Sequence, residues 1–576
     1  MRGFDVRMRE TTIWLCCASS RNIDPLNSFP IDIKSSLLYE IVESSYFQAP
    51  INFSVMHILD IIVIIVYSIG LLGLGYLFKN QKDKNDFFLG GRSFGWFEMG
   101  LSTMASQLSA ISFISAAAFV GLKANGGMQW LTFEFAVPLA MIFLIVVIIP
   151  PLYNAGVVSV YAILDKRFGE STRVLLSAVF QFSRAFATGI MIYTVALVLS
   201  AVMEIPQWQT ILLSGVITII YSYQGGMKAV VWGDVIQMII LFLGIIICIF
   251  YGLKVQGGWG NFVNAMDSSR LKAVDYNWGV GEGQEFGFWP MIIGGFFLYI
   301  SYYGCDQSQA QRSLSGRNLK QVRQALMFNG LFRFPITFCY CLMGLIIGTF
   351  ALSNPEFMSR IPTDKPDYMI PVFILDYLPV GIVGLLLVAI LAAAMSSLSS
   401  AINSLSAATV EDFISRNKEM APEESMKWSK RMTLFWGVIC IILAFTAGNI
   451  ADTVIEAINK VGSAFYGPIV ATFLLAILGK KTHTLSANIG LLAGVGVNVF
   501  IWLAGVPIFW IWWNMIGAVV TFLVAAIMNQ IIKRESKVFD LLKDYEINFV
   551  RRETLILVGF FILLIVFTIN LGSILG

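Results

Sequence analysis

The stretch Leu391-Ala392-Ala393-Ala394-Met395-Ser396-Ser397-Leu398-Ser399-Ser400-Ala401-Ile402-Asn403-Ser404 closes a long apolar segment that begins near Val380. Four serines in five positions are out of place in an apolar helix, because serine is a middling helix former whose hydroxyl competes for the backbone. At helical spacing Ser396, Ser399 and Ser400 share one face, and so do Ala393, Ser397 and Ser400. Such a face offers small hydroxyl and carbonyl oxygens with no bulky side chain in front of them. It suits close helix packing, for which small residues and serines are common in membranes. It equally suits a hard cation, which takes oxygen ligands.

The surrounding chain is built for lipid. Of 576 residues, 57% are hydrophobic and 13% charged, with a mean hydropathy of +0.75. Soluble domains carry about 25% charged residues, so this composition is that of an integral membrane protein. A span needs about 20 mostly apolar residues. Fourteen segments meet that rule, starting near residues 56, 97, 126, 173, 208, 228, 287, 326, 371, 429, 452, 482, 507 and 553. If 79–96 is cytoplasmic, alternation places 153–173, 224–228, 308–325, 411–431, 479–483 and 533–552 on the same side. Those segments hold 25 Lys and Arg, against six in the opposite loops and five in the N-terminal tail. The positive-inside rule therefore predicts an even number of spans with both termini extracytoplasmic, in a cell membrane. The net charge of +3 is topological and implies no nucleic acid. Residues 1–50 contain neither a good signal-peptide core nor a clean cleavage site. They read as an exposed arm or an extension from an upstream start codon, with no role assigned. No cysteine or histidine spacing points to a metal centre.

Polarity enters the membrane at a few places. A charge at the centre of a span costs roughly 2.5–3.5 kcal/mol on insertion scales, so each needs a reason. The embedded charges are Glu134, Arg184, Asp234, Asp306, Arg333, Glu456 and Lys460. Glu456 and Lys460, four apart, are expected to pair. Arg312 reads as an anchor at the cytoplasmic end of its segment. Asp234 lies within two turns of a cytoplasmic end, where a salt bridge and a cation ligand are both open. Two segments look like broken helices, Ser102–Ser112 and Tyr299–Arg312, the second turning polar at Gly304. Unwound backbone is tolerated at membrane depth where it lines a cavity. The two breaks stand five spans apart, the pattern of a transporter made of inverted repeats.

These residues resemble the sodium:solute symporter family, which includes sodium–glucose, iodide, proline, monocarboxylate and sialic acid cotransporters. Three matches carry the resemblance: the serine run Ala393–Ser404; Tyr221-Ser-Tyr-Gln-Gly-Gly-Met-Lys-Ala-Val-Val-Trp-Gly-Asp-Val-Ile-Gln237; and Tyr302-Tyr303 followed by Gln307 and Gln311-Arg312. The match runs from about residue 56 to the C-terminus. It implies an all-α membrane fold with a leucine-transporter-type five-plus-five inverted repeat whose first and sixth core helices are broken. Residues 51–79 would form an extra N-terminal helix, 97–479 the ten-helix core, and 480–576 three peripheral helices. The resemblance implies Na+ as the coupling ion. Its principal site would use carbonyls of Ala105, Leu108 and Ala393 with hydroxyls of Ser396 and Ser397. A possible second site would use Asp234, Ser396, Ser399 and Ser400.

The solute contacts implied by the same resemblance are Glu134, Ser112, Tyr302, Gln307, Arg333, Asn459 and Arg184. Ser112, Ile111 and Tyr299 depart from the sugar-transporting branch. Two buried arginines admit an anion, since guanidinium binds carboxylate bidentately; they could equally pair with Glu134 and Asp306. The expected activity is sodium-coupled symport of a small organic solute by alternating access, sugar or polyol first, organic acid or acidic sugar next. A proton-coupled permease using Asp234 or Asp306, and a sodium-binding channel or sensor, are the rival readings. No nucleophile elbow, His–Glu–His cluster or phosphate loop supports an enzyme, and no protein partner is predicted.

Overall fold

The computed structural model describes residues 57–575, except 109–111, 204, 364, 417–419, 447–453, 480, 533–540 and 543–544, and except the side chains of 201, 202 and 454–459. The tail 1–50 and the side chain of Glu456, expected to pair with Lys460, lie outside the described residues. The helices belong to one compact unit, Phe53–Gly576. Among the described residues the chain is all-helical in its named elements. Eleven of these helices are long and apolar enough to cross a bilayer, and two bent pairs add two crossings.

In chain order the spans are α1 (Ile58–Leu77), the pair α2 (Trp96–Gln107) and α3 (Ser112–Gly121), α4 (Met128–Asn154), α5 (Glu170–Met203) and α6 (Gln207–Val255). Then come the pair α7 (Phe288–Gly304) and α8 (Gln307–Leu314), α9 (Leu319–Ser353), α10 (Ile382–Thr409), α11 (Pro422–Thr446), α12 (Val454–Leu478), α13 (Thr484–Leu503), α14 (Ile511–Ile532) and α15 (Arg552–Ile569).

The 49 residues of α6 would extend about 74 Å if straight, more than twice a hydrocarbon core of about 30 Å. Gly226, at φ 52° and ψ −148°, breaks the helix into limbs 207–225 and 227–255. Tyr221 on the first limb donates to the Met395 carbonyl at 3.2 Å, while Asp234 on the second accepts from adjacent Ser396. Residues thirteen apart on one straight helix cannot both reach one neighbouring turn, so the chain folds back at Gly226. Counting the two limbs separately, the described residues make fourteen crossings, the number the hydropathy pattern predicts.

Three starts differ from the sequence reading. Helices α9 and α11 begin at Leu319 and Pro422 rather than near 326 and 429, because their first turns are polar and lie outside the apolar window, that of α9 being capped by Asn318. The ninth span starts at Ile382 rather than near 371. Met369–Tyr377 is a separate short helix, ended by Pro379 and by Gly381 at φ 86°.

Both breaks fall where the polar runs predict. Helix α2 stops at Leu108, whose ψ of 81° leaves the helical region, and α3 resumes at 67° to it. Helix α7 ends at Gly304, and Asp306 starts α8 by accepting the Ser308 N–H at 2.8 Å, with a bend of 58°. The second break falls five crossings after the first, so the two halves match in helix order. Helix α10 is the centre: 89% of its apolar window is buried, against 22% for α1 and α15. Its N-terminus is held from outside the core, because Asp60 of α1 accepts the N–H groups of Gly381 (2.8 Å) and Gly384 (2.6 Å). A glycine contact seats α3 on α9, where a Cβ on Gly121 would collide with the Gly344 carbonyl.

Candidate functional site

The serine face of α10 meets α2, α8 and the second limb of α6. Asp234 is fully buried there. Its Oδ1 accepts the Ser396 hydroxyl at 2.5 Å, and its Oδ2 accepts Ser102 Oγ at 2.5 Å and Arg312 Nη2 at 2.8 Å. Arg312 Nε donates to Ser102 Oγ at 2.7 Å, and its Nη groups also reach Ser400 Oγ and the Ser308 carbonyl. The expectation that Arg312 anchors a cytoplasmic end is therefore corrected: it is 1% exposed. The reason is the break. Helix α8 starts inside the protein, so its sixth residue, about 8 Å along, is still in the core.

Two of the four residues expected around a second cation, Asp234 and Ser400, thus bond a guanidinium, and Ser396 donates to the same carboxylate. Ser399 instead donates to the Ser396 carbonyl at 3.0 Å. Of the two readings open for Asp234, the salt bridge is the one the geometry contains.

One turn away, α2 and α10 touch directly. Ser397 Oγ donates to the Ser106 carbonyl at 3.2 Å and lies 3.5 Å from the Ala393 carbonyl, and the hydroxyls of Ser106 and Ser400 are 3.0 Å apart. Ala105, Leu108, Ala393, Ser396 and Ser397 are all buried around this contact. Because α2 stops at Gln107, the carbonyls of its last turn lack partners within the helix. The structure brings these five residues to one seam between a broken helix end and a hydroxyl-bearing face.

Beside that seam is a cavity of about 170 Å³. Five of the seven expected solute contacts line it: Ser112, Glu134, Arg184, Tyr302 and Arg333. Ser397 and Ser400 also line it, so the seam and the cavity are continuous. Gln307 is not there; its amide is fixed to the Val160 N–H at 2.9 Å and the Val158 carbonyl at 2.8 Å, tying α8 to a connecting segment. The side chain of Asn459 lies outside the described residues. Gln309, two positions on, faces the cavity and donates to Tyr302 Oη at 2.9 Å. Sequence reasoning missed it, and Gln107 with it. Both stand in the polar runs at the breaks, but the bends make helical spacing a poor guide to which side chain turns inward.

The arginines pair as one of the sequence readings allowed. Arg333 Nε lies 3.1 and 3.0 Å from the Glu134 oxygens, and Thr337 adds a hydroxyl at 2.9 Å. Arg184 pairs with Asp306 and reaches Tyr466 Oη at 3.4 Å, its guanidinium 5.5 Å from the Tyr302 ring centre. Each pair satisfies a buried charge that lipid could not. Each also leaves a donor over: Arg333 Nη1 and Arg184 Nε are buried without a hydrogen-bond partner among the described residues.

A family model for the sodium:solute symporter family matches residues 87–494. The sodium-coupled monocarboxylate transporter 1 of Xenopus laevis is 31% identical over 440 residues, covering 75% of this chain and 69% of that protein. The human sodium/iodide cotransporter is 29% identical over 439 residues, covering 75% and 67%. Among solved structures, a Na+-coupled sialic acid symporter in a substrate-bound outward-open state has a TM-score of 0.75 at 24% identity, covering 84% of this chain and all of that one, a likeness of fold. With the paired breaks, the serine seam and these matches together, the chain belongs to the sodium:solute symporter family and is a multi-pass membrane transporter that couples solute movement to sodium.

Proposed function

We propose that this symporter carries a small organic anion. The observation that carries the proposal is the pair of buried guanidinium groups in one cavity, each with an N–H left over beside its carboxylate. Arginine is the side chain suited to a carboxylate, through its planar fork of donors. The preference for a sugar or polyol drawn from sequence leaned on Glu134. Its oxygens are engaged by Arg333 and Thr337, which supports moving the organic acid ahead of the sugar. Relatives named for monocarboxylate and iodide, both anions, support the same order.

Sodium is assigned to the seam: the carbonyls of Ala105, Leu108 and Ala393 with the hydroxyls of Ser396 and Ser397. A second sodium at Asp234, Ser396, Ser399 and Ser400 would require the Arg312 guanidinium to withdraw. The cycle is alternating access, in which sodium and solute each favour one state of the bundle and are coupled through that difference. The solute sits against Glu134, Ser112, Tyr302, Arg333 and Arg184. The remaining assignments are a ten-helix core at 97–479 flanked by an N-terminal helix (51–79) and three C-terminal ones (480–576), in a cell membrane with both termini outside.

Uptake into proteoliposomes under a sodium gradient tests this reading. Carboxylates are expected to compete and neutral sugars and polyols not to; competition by neutral solutes alone would defeat the anion assignment. Replacing sodium by choline at fixed pH should abolish uptake, and persistence would favour a proton-coupled permease or a channel.

A further inference from the structure

A cavity of about 170 Å³ admits only a small solute, so the placing of its walls decides which solutes fit. Two of the rings that line it, Trp130 and Phe133 at the start of α4, have centres 4.6 Å apart. Neither is held by α4 alone. Phe286, 4% exposed, packs its ring against both, at 6.0 and 5.8 Å between centres, and against Phe119 of α3 at 4.8 Å. Trp510 stacks on Phe133 at 6.0 Å, and Phe509 packs on Phe286 at 5.3 Å. Phe286 lies in the segment between α6 and α7. Phe509 and Trp510 lie in the turn between α13 and α14, beyond the span 97–479 expected to form the transport core.

The backbone of Phe286 has φ 56°, a conformation that a bulky side chain rarely adopts and that persists only where the surroundings impose it. They do so from both sides. Before it, Gly281 donates its N–H to the Pro507 carbonyl at 2.8 Å, and the Gly279 carbonyl accepts the Phe509 N–H at 2.8 Å. Trp512 Nε1 adds a bond to the Trp278 carbonyl at 2.7 Å. After it, Phe288 donates its N–H to the Asp275 carbonyl at 2.7 Å. We infer that Phe286 is a positioning residue that sets the longest solute the cavity accepts, acting through Trp130 and Phe133; the inference rests on the solute occupying this cavity. Protein interiors are close-packed, so a ring removed from behind a wall becomes room that the wall can move into. The α13–α14 turn, by latching the segment that carries Phe286, takes part in solute selection from outside the repeat core.

Purified protein in sodium-containing buffer is titrated with two ladders of solutes, the straight-chain carboxylates from acetate to octanoate and the polyols glycerol, erythritol, xylitol and sorbitol, with binding read as thermal stabilisation. In the wild type, binding should tighten along a ladder and then break off at the length that meets the rings. Phe286→Gly removes the ring and suits the backbone, since glycine adopts this φ freely. A phenylalanine side chain carries the apolar surface of about two to four methylenes, so the break should move about that many carbons to longer chains, each added methylene tightening binding about fourfold. A break that stays in place, or a loss of affinity equal at every length, overturns the role of Phe286 while the organic-anion reading stands. Binding of polyols with none of the carboxylates overturns the organic-anion reading, and the polyol break then decides Phe286 in the same way. Binding of neither ladder overturns both. If Phe286→Gly fails to fold, Phe286→Leu is read against the same ladders and should move the break in the same direction by a smaller step; an unmoved break there overturns the inference.

Discussion

Replacing Arg312 by glutamine is the most telling single perturbation, because it empties a position that the sequence reading reserved for an ion. In the folded chain the guanidinium is 1% exposed and Asp234 fully buried, 2.8 Å apart. After Arg312→Gln the carboxylate keeps only the hydroxyls of Ser102 and Ser396. Removing one partner of a buried pair costs about 3–5 kcal/mol, because the other charge is left uncompensated. The freed space is lined by oxygens of Asp234, Ser102, Ser400 and the Ser308 carbonyl, which suit sodium. A cation binding only the folded state stabilises it by RT ln(1 + [L]/Kd), about 2.7 kcal/mol at one hundred times Kd. Thermal unfolding of purified protein, in sodium against choline at constant ionic strength, reads both effects. In choline, Arg312→Gln should be strongly destabilised. Sodium should then restore about 2–3 kcal/mol more than it adds to the wild type, whose second position is taken by the guanidinium. Asp234→Asn in the same chain should abolish that extra gain. A sodium response in Arg312→Gln no larger than in wild type would refute the view that the guanidinium stands in a cation's place.

At the seam, Ser397→Ala should raise the sodium concentration for half-maximal uptake about tenfold or more, with Ser397→Thr recovering most of it; an unchanged sodium titration removes Ser397 from the ion site. Arg333→Gln strands the Glu134 carboxylate beside the cavity, and solute binding should weaken by about 2–5 kcal/mol, with Arg333→Lys intermediate because an ammonium lacks the planar fork. Equal affinities in all three forms, read by competition for uptake, would exclude Arg333 from solute recognition. Asp60→Ala removes the side-chain acceptor that caps the start of α10 and should cost about 0.5–2 kcal/mol of stability, with Asp60→Asn closer to wild type; an unaltered unfolding midpoint would mean the cap is dispensable.

Much of the architecture was legible because lipid imposes it residue by residue. Apolar length marked all fourteen crossings, including the two limbs of α6. The polar runs Ser102–Ser112 and Tyr299–Arg312 marked both breaks, since backbone leaves the helix in a membrane only where something else can solvate it. Starts were misplaced where a polar first turn or a proline, as at Leu319, Pro422 and Pro379, separates the helix from its apolar window. Position at a break was harder. Gln307 and Gln309 sit on the same short helix, yet one ties down a connecting segment and the other faces the cavity.

The sequence by itself determined that this chain spans a membrane in fourteen helices, breaks two of them five apart, and carries an oxygen-rich face on its most buried helix. Those features follow from periodicity and composition, which act over a turn or a span. Which charge meets which was decided only in three dimensions. Arg312 reaches Asp234 across 78 residues, Arg184 reaches Asp306 across 122, and Arg333 reaches Glu134 across 199. A buried charge must find a partner, but sequence spacing cannot say which one; the packing of α4 on α9, of α5 on the start of α8 and of α6 on α8 makes that choice.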